Sequence, residues 1–394
     1  MLGREENEML TRVGPGTPAG ELLRRYWHPV AVAGQLTEDK PIKAVKILDE
    51  KLVVFRDTQG RYGLVGEHCS HRSASLAQGR VDADGIRCPY HGWKYDAQGR
   101  CLEQPAEPSG STYKDRIRHP AYPVQKLGGL LFAYLGPPPT PLLPRYDVLV
   151  REDGKRWIVV ESVIDCNWLQ PMENSVDPSH LYWLHGETGH LGGHMAQYQE
   201  EREFRTFEYG IWKKRATPGK TPSDPQMIDE HPLVFPTILR HVSKLRGDGG
   251  FRHNLQIRVP MDDTHTQVYR VNFVPSLTDR SPSDQDPPFE YCPLKTPEGE
   301  YRMNLVSAQD SMAWETQGPI TDRTREHLGV SDEGIILFRK LLKEQIEIVR
   351  RGGDPMGVIR DPAKNEIIEF DVVNERIGLY RSSTPKGEVR VEAS

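Results

Sequence analysis

The sequence predicts an α+β protein of two units, a compact all-β domain followed by a larger domain of sheet and helices. Three observations support this. The chain has 394 residues, and single hydrophobic cores stop growing beyond roughly 250–300 residues. From about residue 42 to 138, short apolar runs alternate with turn signals, the texture of closely spaced strands. Beyond a proline-rich connector, Gly136 to Pro144 (GPPPTPLLP), strand-like runs alternate with segments of helical period.

Residues Glu5 to Trp27 have helical spacing broken at Gly14-Pro15-Gly16-Thr17-Pro18, with Leu22, Leu23 and Tyr26 near one face. In the β unit, KAVKIL, KLVVFRD, YGLVG and GGLLFAYLG are the strand candidates. Asp57-Thr58-Gln59-Gly60 and Asp96-Ala97-Gln98-Gly99 are turn signals. After the connector, WIVVESVI, HNLQIRVP and QVYRVNFVP read as strands, and Asn167 to His185 carries a helical pattern. Ser331 to Arg351 is an amphipathic helix, with Ser331 and the acidic Asp332-Glu333 suited to its start. Arg350-Arg351 before Gly352-Gly353 suit its end. The polar stretch Ser276 to Pro288 is expected to be a surface loop. These signals divide the chain into an N-terminal helical segment (1–41), the β domain (42–138) and the larger domain (139–394).

A hydrophobic fraction of 37%, a charged fraction of 27% and a net charge of −5 describe a mildly acidic globular protein. No basic stripe argues for nucleic-acid binding. No apolar run reaches the 18 or so residues of a membrane span. The start, MLGREENEML, lacks the apolar core of a secretory signal, so the expected compartment is the cytoplasm. Five cysteines in a chain of this length are too few for a disulfide scaffold, and suit reduced thiols, some of them metal ligands.

Cys69-Ser70-His71 and Cys88-Pro89-Tyr90-His91 form two short loops, each offering one thiolate and one imidazole. Such a set can hold a structural zinc or an iron–sulfur cluster. Zinc fingers usually pair Cys with Cys and His with His. One of each per loop suits a [2Fe–2S] cluster whose two irons take sulfur and nitrogen ligands separately. His68 has no place in this spacing.

A second group lies beyond the connector, in Asp177-Pro178-Ser179-His180-Leu181-Tyr182-Trp183-Leu184-His185. Residues five apart on an α-helix differ by about 140° in direction. His180 and His185 therefore meet one metal only if the helix is irregular or ends there. Asp177-Pro178 is a candidate N-cap and first-turn pair, Pro178 a candidate kink, and Gly186 a candidate stop. Two histidines and a carboxylate would leave positions open for O₂ on ferrous iron. Asp310 and Glu315, in Gln309-Asp310-Ser311-Met312-Ala313-Trp314-Glu315, are carboxylates that could supply the third ligand. His190 and His194, among Gly189, Gly192 and Gly193, are assigned to a loop over the pocket.

The Cys-x-His…Cys-x₂-His pattern, followed by Gly92-Trp93, resembles that of Rieske proteins. EENEMLTRVGPGTPAGELLRRYWHPV, the DPSHLYWLHG segment and QDSMAWETQGPITDRTREHLGVSDEGIILFR extend the resemblance over nearly the whole chain. It is with the catalytic (alpha) subunits of Rieske non-haem iron aromatic ring-hydroxylating oxygenases. The branch resembled contains phthalate 4,5-dioxygenases and dehydrodivanillate O-demethylases. The resemblance implies a Rieske [2Fe–2S] domain, a helix-grip catalytic domain with an antiparallel sheet and helices, and a head-to-tail homotrimer.

By the same resemblance Cys69 and Cys88 would hold one iron of the cluster, and His71 and His91 the other. Two imidazole ligands place the potential of such clusters between about −150 and +300 mV. His180, His185 and Asp310 would bind mononuclear Fe(II), with Glu315 the nearest competitor of Asp310. Asp177 would bridge His180 to His91 of a neighbouring subunit, and Asn167 and Asn174 would lie near the iron. No nucleotide-binding fingerprint is present, so electrons would come from NAD(P)H through a separate reductase, with or without a ferredoxin. The reaction implied is O₂-dependent hydroxylation or O-demethylation of a carboxylated or methoxylated aromatic. The rival reading is a Rieske electron-transfer protein without oxygenase activity. Among Lys213, Lys214, Arg215, Arg240, Lys244, Arg252, His253 and Arg258, a cation is expected to meet a substrate carboxylate.

Overall fold

A computed structural model describes residues 2–190, 198, 201–216, 228–244, 251–282 and 284–370. The chain opens with helices α1 (Arg4–Thr11) and α2 (Pro18–Leu23). Thr17 caps α2 by accepting from Gly20 N–H, and Pro18 occupies its first turn. Strand β1 (Trp27–Val32) follows, then β2 (Ile42–Ile47), β3 (Glu50–Arg56) and β4 (Tyr62–Gly66). The short strands β5 (Arg80–Asp82), β6 (Gly85–Arg87), β7 (Lys94–Tyr95) and β8 (Cys101–Glu103) come next. After them run β9 (Ala121–Tyr122), β10 (Val124–Leu127) and β11 (Leu130–Tyr134).

In the described residues these strands form three small sheets, ordered β2-β3-β4-β9, β5-β6-β7-β8 and β1-β11-β10. Two of their turns share one design. The Asp57 carboxylate accepts from the backbone N–H groups of Gln59 and Arg61 and from the Arg61 guanidinium. Asp96 treats Gln98 and Arg100 in the same way.

Strand β1 pairs with β11, so residues ahead of the expected boundary at 42 already belong to a sheet with the end of the β unit. The proline-rich connector is not a free tether. Leu142 N–H donates to Ile359 O, and the Trp27 indole donates to Pro141 O.

The second half begins with a short turn of helix, α3 (Asp147–Val150), then β12 (Gly154–Glu161) and α4 (Leu169–Asn174). A π-helix over Leu181–Thr188 follows. Strands β13 (Glu201–Phe207), β14 (Gly210–Ala216), β15 (Ile228–Val234), β16 (Ile238–Lys244), β17 (Phe251–Asp262), β18 (His265–Pro275) and β19 (Phe289–Cys292) complete the sheet elements. Helices α5 (Val306–Glu315) and α6 (Glu333–Arg350) pack beside them. The eight strands are ordered β13-β14-β15-β16-β17-β18-β12-β19, antiparallel except for the β12–β19 pair.

One apolar core joins α2, β1, β11, β12, β17 and α6, including Leu22, Val32, Leu131, Ile158, Leu255 and Phe338. A second, smaller core of Val53, Phe55, Val65, Ile86 and Trp93 lies under the cysteine loops. The Ser276–Pro288 stretch carries no strand or helix among its described residues, and Leu277 is 73% exposed. Helix α6 starts two residues later than its Ser331 signal predicts. Val330–Asp332 forms a tight turn in which the Asp332 carboxylate accepts Gly329 N–H. Gly352, at a φ of 82°, ends the helix as its sequence suggests.

Candidate active site and metal centres

The four Rieske-pattern residues sit on two matching loops. In the first, Cys69 N–H donates to Ala74 O and Ser73 N–H to Cys69 O. In the second, Cys88 N–H donates to Trp93 O and Gly92 N–H to Cys88 O. Gly92 supplies the left-handed turn, at a φ of 74°. Both cysteines are buried, whereas His71 is exposed and His91 half-exposed. The two imidazoles lie with ring centroids 4.6 Å apart, and His71 stacks on Trp93 at 4.4 Å. The Tyr95 hydroxyl lies 3.1 Å from Cys69 Sγ.

A single tetrahedral zinc would bring all four donor atoms to within roughly 4 Å of one another. Among the described residues, the only set of three or more metal-ligating groups that close is a different one. Paired thiols inside and paired imidazoles outside fit a two-iron unit with sulfur ligands at one end and nitrogen ligands at the other.

That other set is His180, His185 and Asp310, whose candidate ligand atoms lie within 4.8 Å of one another. The five-residue spacing is accommodated by π-winding, whose i→i+5 bonds bring residues five apart into line. Gly189 N–H donates to Leu184 O at 2.7 Å in this pattern. The Asp177 carboxylate accepts Ser179 N–H, two residues on, at the turn that leads into the helix. One expectation, the stop at Gly186, is corrected here. Gly186 is not a stop, because the wider winding carries on to Thr188. Gly189 ends it, where a Cβ would lie 2.3 Å from the Gln309 amide.

Asp310 comes from α5. Its Oδ1 is 3.2 Å from His185 Nε2 and 3.9 Å from His180 Nε2, yet it makes no well-directed hydrogen bond. Burial works against its charge, but the histidines and Arg258 outweigh it and hold the carboxyl below its ordinary range. An orphaned buried carboxylate oxygen facing two imidazoles fits a divalent iron. Glu315 is committed elsewhere, to Lys295 and Tyr301, each at 2.6 Å.

Support around the triad is specific. Gln309 Nε2 donates to Met303 O, so its Oε1 faces His185 Nδ1 at 2.7 Å and accepts from it. Asp177 Oδ2 is 3.6 Å from His180 Nδ1. Glu173 is buried between Arg323 at 2.7 Å and Arg339 at 2.6 Å, which anchors α4 just before Asn174. Asn174 lines the site cavity. Asn167 does not. Its amide donates to Thr11 O and Asp263 O while its oxygen accepts Leu169 N–H, so it ties the N-terminal helix to α4.

The cavity over the triad has a volume of about 100 Å³ and a basic wall. Lys213 and Arg215 on β14, His231 on β15, His241 and Leu239 on β16, and Gln256 and Arg258 on β17 line it. Lys213 pairs across the strands with His231. The His231 ring lies 5.1 Å from His241, so three basic side chains run in a row. Arg258 donates to Pro171 O and Ser175 Oγ, and burial pulls its guanidinium down to about 10, still a cation at neutral pH. A larger cavity, about 510 Å³, lies between Trp157 and Phe289, but it brings no set of metal-ligating groups together.

The other basic candidates lie away from this wall. Arg240 pairs with Asp147 at 2.6 Å and with His253, Lys214 pairs with Glu203, and Arg252 reaches Ser243. The side chain of Lys244 and all of Gly192, Gly193 and His194 lie outside the described residues. His190 is described and exposed. His68 bonds its own loop at Ser73 O. His231, His241 and Gln256 escaped the sequence reading, although each lies on a strand. Gln309 and Glu173 escaped it because their partners are 124 and 150 residues distant.

Residues 26–123 match the Rieske [2Fe–2S] domain model, and residues 298–389 a LigXa C-terminal-domain-like model. The 5,5'-dehydrodivanillate O-demethylase oxygenase subunit of a Sphingobium species is 41% identical over 387 residues, 95% of this chain and 87% of the relative. The chain belongs to the Rieske non-haem iron oxygenase family. Phenoxybenzoate dioxygenase subunit alpha of Ectopseudomonas oleovorans is 37% identical, over 89% of this chain and 87% of that one.

Solved Rieske oxygenase structures share the fold. Pseudomonas putida NdmA with caffeine has a TM-score of 0.65 at 23% identity, covering 85% of this chain and 94% of that one. Dicamba monooxygenase bound to dicamba has a TM-score of 0.63 at 17% identity, over 84% and 99%. By its kinship with the oxygenase-subunit relatives, this Rieske oxygenase is an enzyme, the oxygenase component of a multicomponent system that draws electrons from a separate reductase and uses O₂. The electron-carrier reading is set aside by oxygenase-subunit relatives that span both halves of the chain. Its cofactors are a Rieske [2Fe–2S] cluster and mononuclear non-haem iron. No helix among the described residues is long and apolar enough to cross a membrane.

Proposed function

We propose that this oxygenase hydroxylates or O-demethylates an aromatic compound carrying a carboxylate, with or without a methoxy group. Cys69, His71, Cys88 and His91 hold the cluster, and His180, His185 and Asp310 hold the catalytic iron. The observation that carries this reading is the placement of the histidine–aspartate triad opposite a basic wall within one cavity. Relatives include oxygenase subunits named for phenoxybenzoate, phthalate and 3-chlorobenzoate, all aromatic carboxylates.

When bound, the cluster supplies electrons and the iron supplies the O₂ chemistry. The chain's own residues orient and select. Lys213 and Arg215 meet the substrate carboxylate with charge-assisted hydrogen bonds. His231 and His241 receive a neighbouring hydroxyl or methoxy oxygen, and Leu239 gives the ring an apolar contact. Gln309 keeps His185 in the tautomer whose Nε2 lone pair faces the metal. Asp177 lies beside His180 at a half-buried edge, where it serves as the link to His91 of a neighbouring copy in a homotrimer.

The test supplies aromatic acids, with and without methoxy groups, to the iron-loaded protein and a surrogate reductase. Formaldehyde and hydroxylated products are measured. Product from an acid and none from its methyl ester is expected. Equal turnover of acid and ester would overturn the substrate reading, and absence of iron would overturn the ligand assignment.

A further inference from the structure

His119 sits two residues ahead of β9 and is 3% exposed, far along the chain from both cluster loops. Three separate contacts tie it to the first loop and to the strands beside the two loops. Its ring stacks on Tyr95, with centroids 4.4 Å apart and planes 25° from parallel. Its Nε2 lies 2.8 Å from Gly66 O, and its Nδ1 lies 2.8 Å from Ser70 Oγ.

A backbone carbonyl can only accept, so Nε2 carries the proton and Nδ1 accepts from the Ser70 hydroxyl. The backbone is held as well. His119 N–H donates to Gly99 O, and Gly66 N–H donates to Pro120 O. The imidazole is thus fixed against the end of β4, the first cluster loop and the strand that carries Tyr95.

The Tyr95 hydroxyl is the group that gains from this. It lies 3.1 Å from Cys69 Sγ on β7, a strand of only two residues. Its ring is buried in the smaller core, and the stacked His119 imidazole is one of the surfaces that fix its direction. A hydrogen bond donated to a ligand sulfur favours the more electron-rich, reduced cluster, and hydrogen bonds to the sulfurs are a recognised lever on potential.

We propose that His119 is a positioning residue for the iron–sulfur centre: it holds the Tyr95 hydroxyl on Cys69 Sγ and so raises the reduction potential of the cluster. This rests on the reading of Cys69 as a cluster ligand.

The experiment compares the full-length wild type with His119→Asn, Tyr95→Phe and the double variant. Cluster content is read by visible absorption and EPR, and midpoint potential by redox titration. His119→Asn is expected to retain the cluster and to shift the redox equilibrium about tenfold toward the oxidised form, about 59 mV for one electron. In the Tyr95→Phe background the same substitution should shift it little. An unchanged potential, or a shift of equal size in both backgrounds, overturns the proposal. If His119→Asn loses the cluster, the larger amide of His119→Gln decides, and loss in both variants assigns His119 a purely structural role. A wild type without the Rieske EPR signal would sink the ligand reading instead, so the two failures are distinguishable.

Discussion

Gln309 accepts a hydrogen bond from His185 Nδ1 at 2.7 Å, and that bond decides which imidazole nitrogen faces Asp310. The amide and the acid involved, Gln309 and Asp310, are neighbours on α5, so one helix delivers a candidate ligand and the group that orients another.

Removing this amide should loosen the iron without touching the cluster. Gln309→Leu is expected to weaken iron affinity by about 10- to 100-fold, the usual cost of losing such a supporting partner. Iron titration of the apoprotein measures it, with the Rieske EPR signal as internal control. Unaltered iron affinity would count against the orienting role.

Asp177 tests the link between subunits. Asp177→Asn keeps the shape of the side chain and should retain three irons per chain. Turnover should fall roughly a hundredfold, equal to about 2.7 kcal/mol of barrier. Metal analysis beside steady-state rates separates the outcomes, and full activity would exclude the bridge.

The basic wall predicts a charge-selective defect. Lys213→Met removes one charge-assisted contact worth about 1.5–3 kcal/mol. KM for an aromatic acid should therefore rise by roughly 10- to 150-fold. An uncharged aromatic should show little change, and an equal effect on both would place Lys213 outside substrate recognition.

Acid should destabilise the fold through His28. This residue is fully buried in β1, and burial chiefly pulls its imidazole down to about 4, although its bond with Leu23 O opposes the shift. Between that value and the ordinary pKa near 6.5, the unfolded chain binds a proton that the fold refuses. Stability is thus full above about pH 6.5 and falls as pH drops toward 4, by about 3 kcal/mol over the window. Urea midpoints at pH 7 and pH 5 measure the slope, and His28→Gln should flatten it relative to wild type. Parallel slopes would rule His28 out as the source.

Local patterns made the β unit legible. Apolar runs at 42–47, 50–56 and 62–66 became strands, and the Asp-x-x-Gly-Arg segments became turns, because both depend on neighbours a few residues away. The spacing of His180 and His185 announced an irregular helix, but not its π form. Asn167 misled for a definite reason: an amide serves as well for joining chain segments as for supporting a metal, and here Thr11 and Asp263 claim it. The basic wall was only partly visible. Which of eight cations face the iron depends on strand register, and the sequence carries no local signal for the pairing of Lys213 with His231.

The wide winding of 181–188 makes the number of residues between the two histidines a functional quantity in its own right. An α-helix would align such a pair at a separation of four, so this segment behaves as an ordinary helix carrying one inserted residue. Side chains such as the exposed Trp183 can vary in kind, whereas gaining or losing a single position would rotate one imidazole out of the site. Over that stretch the chain is constrained in length more tightly than in identity.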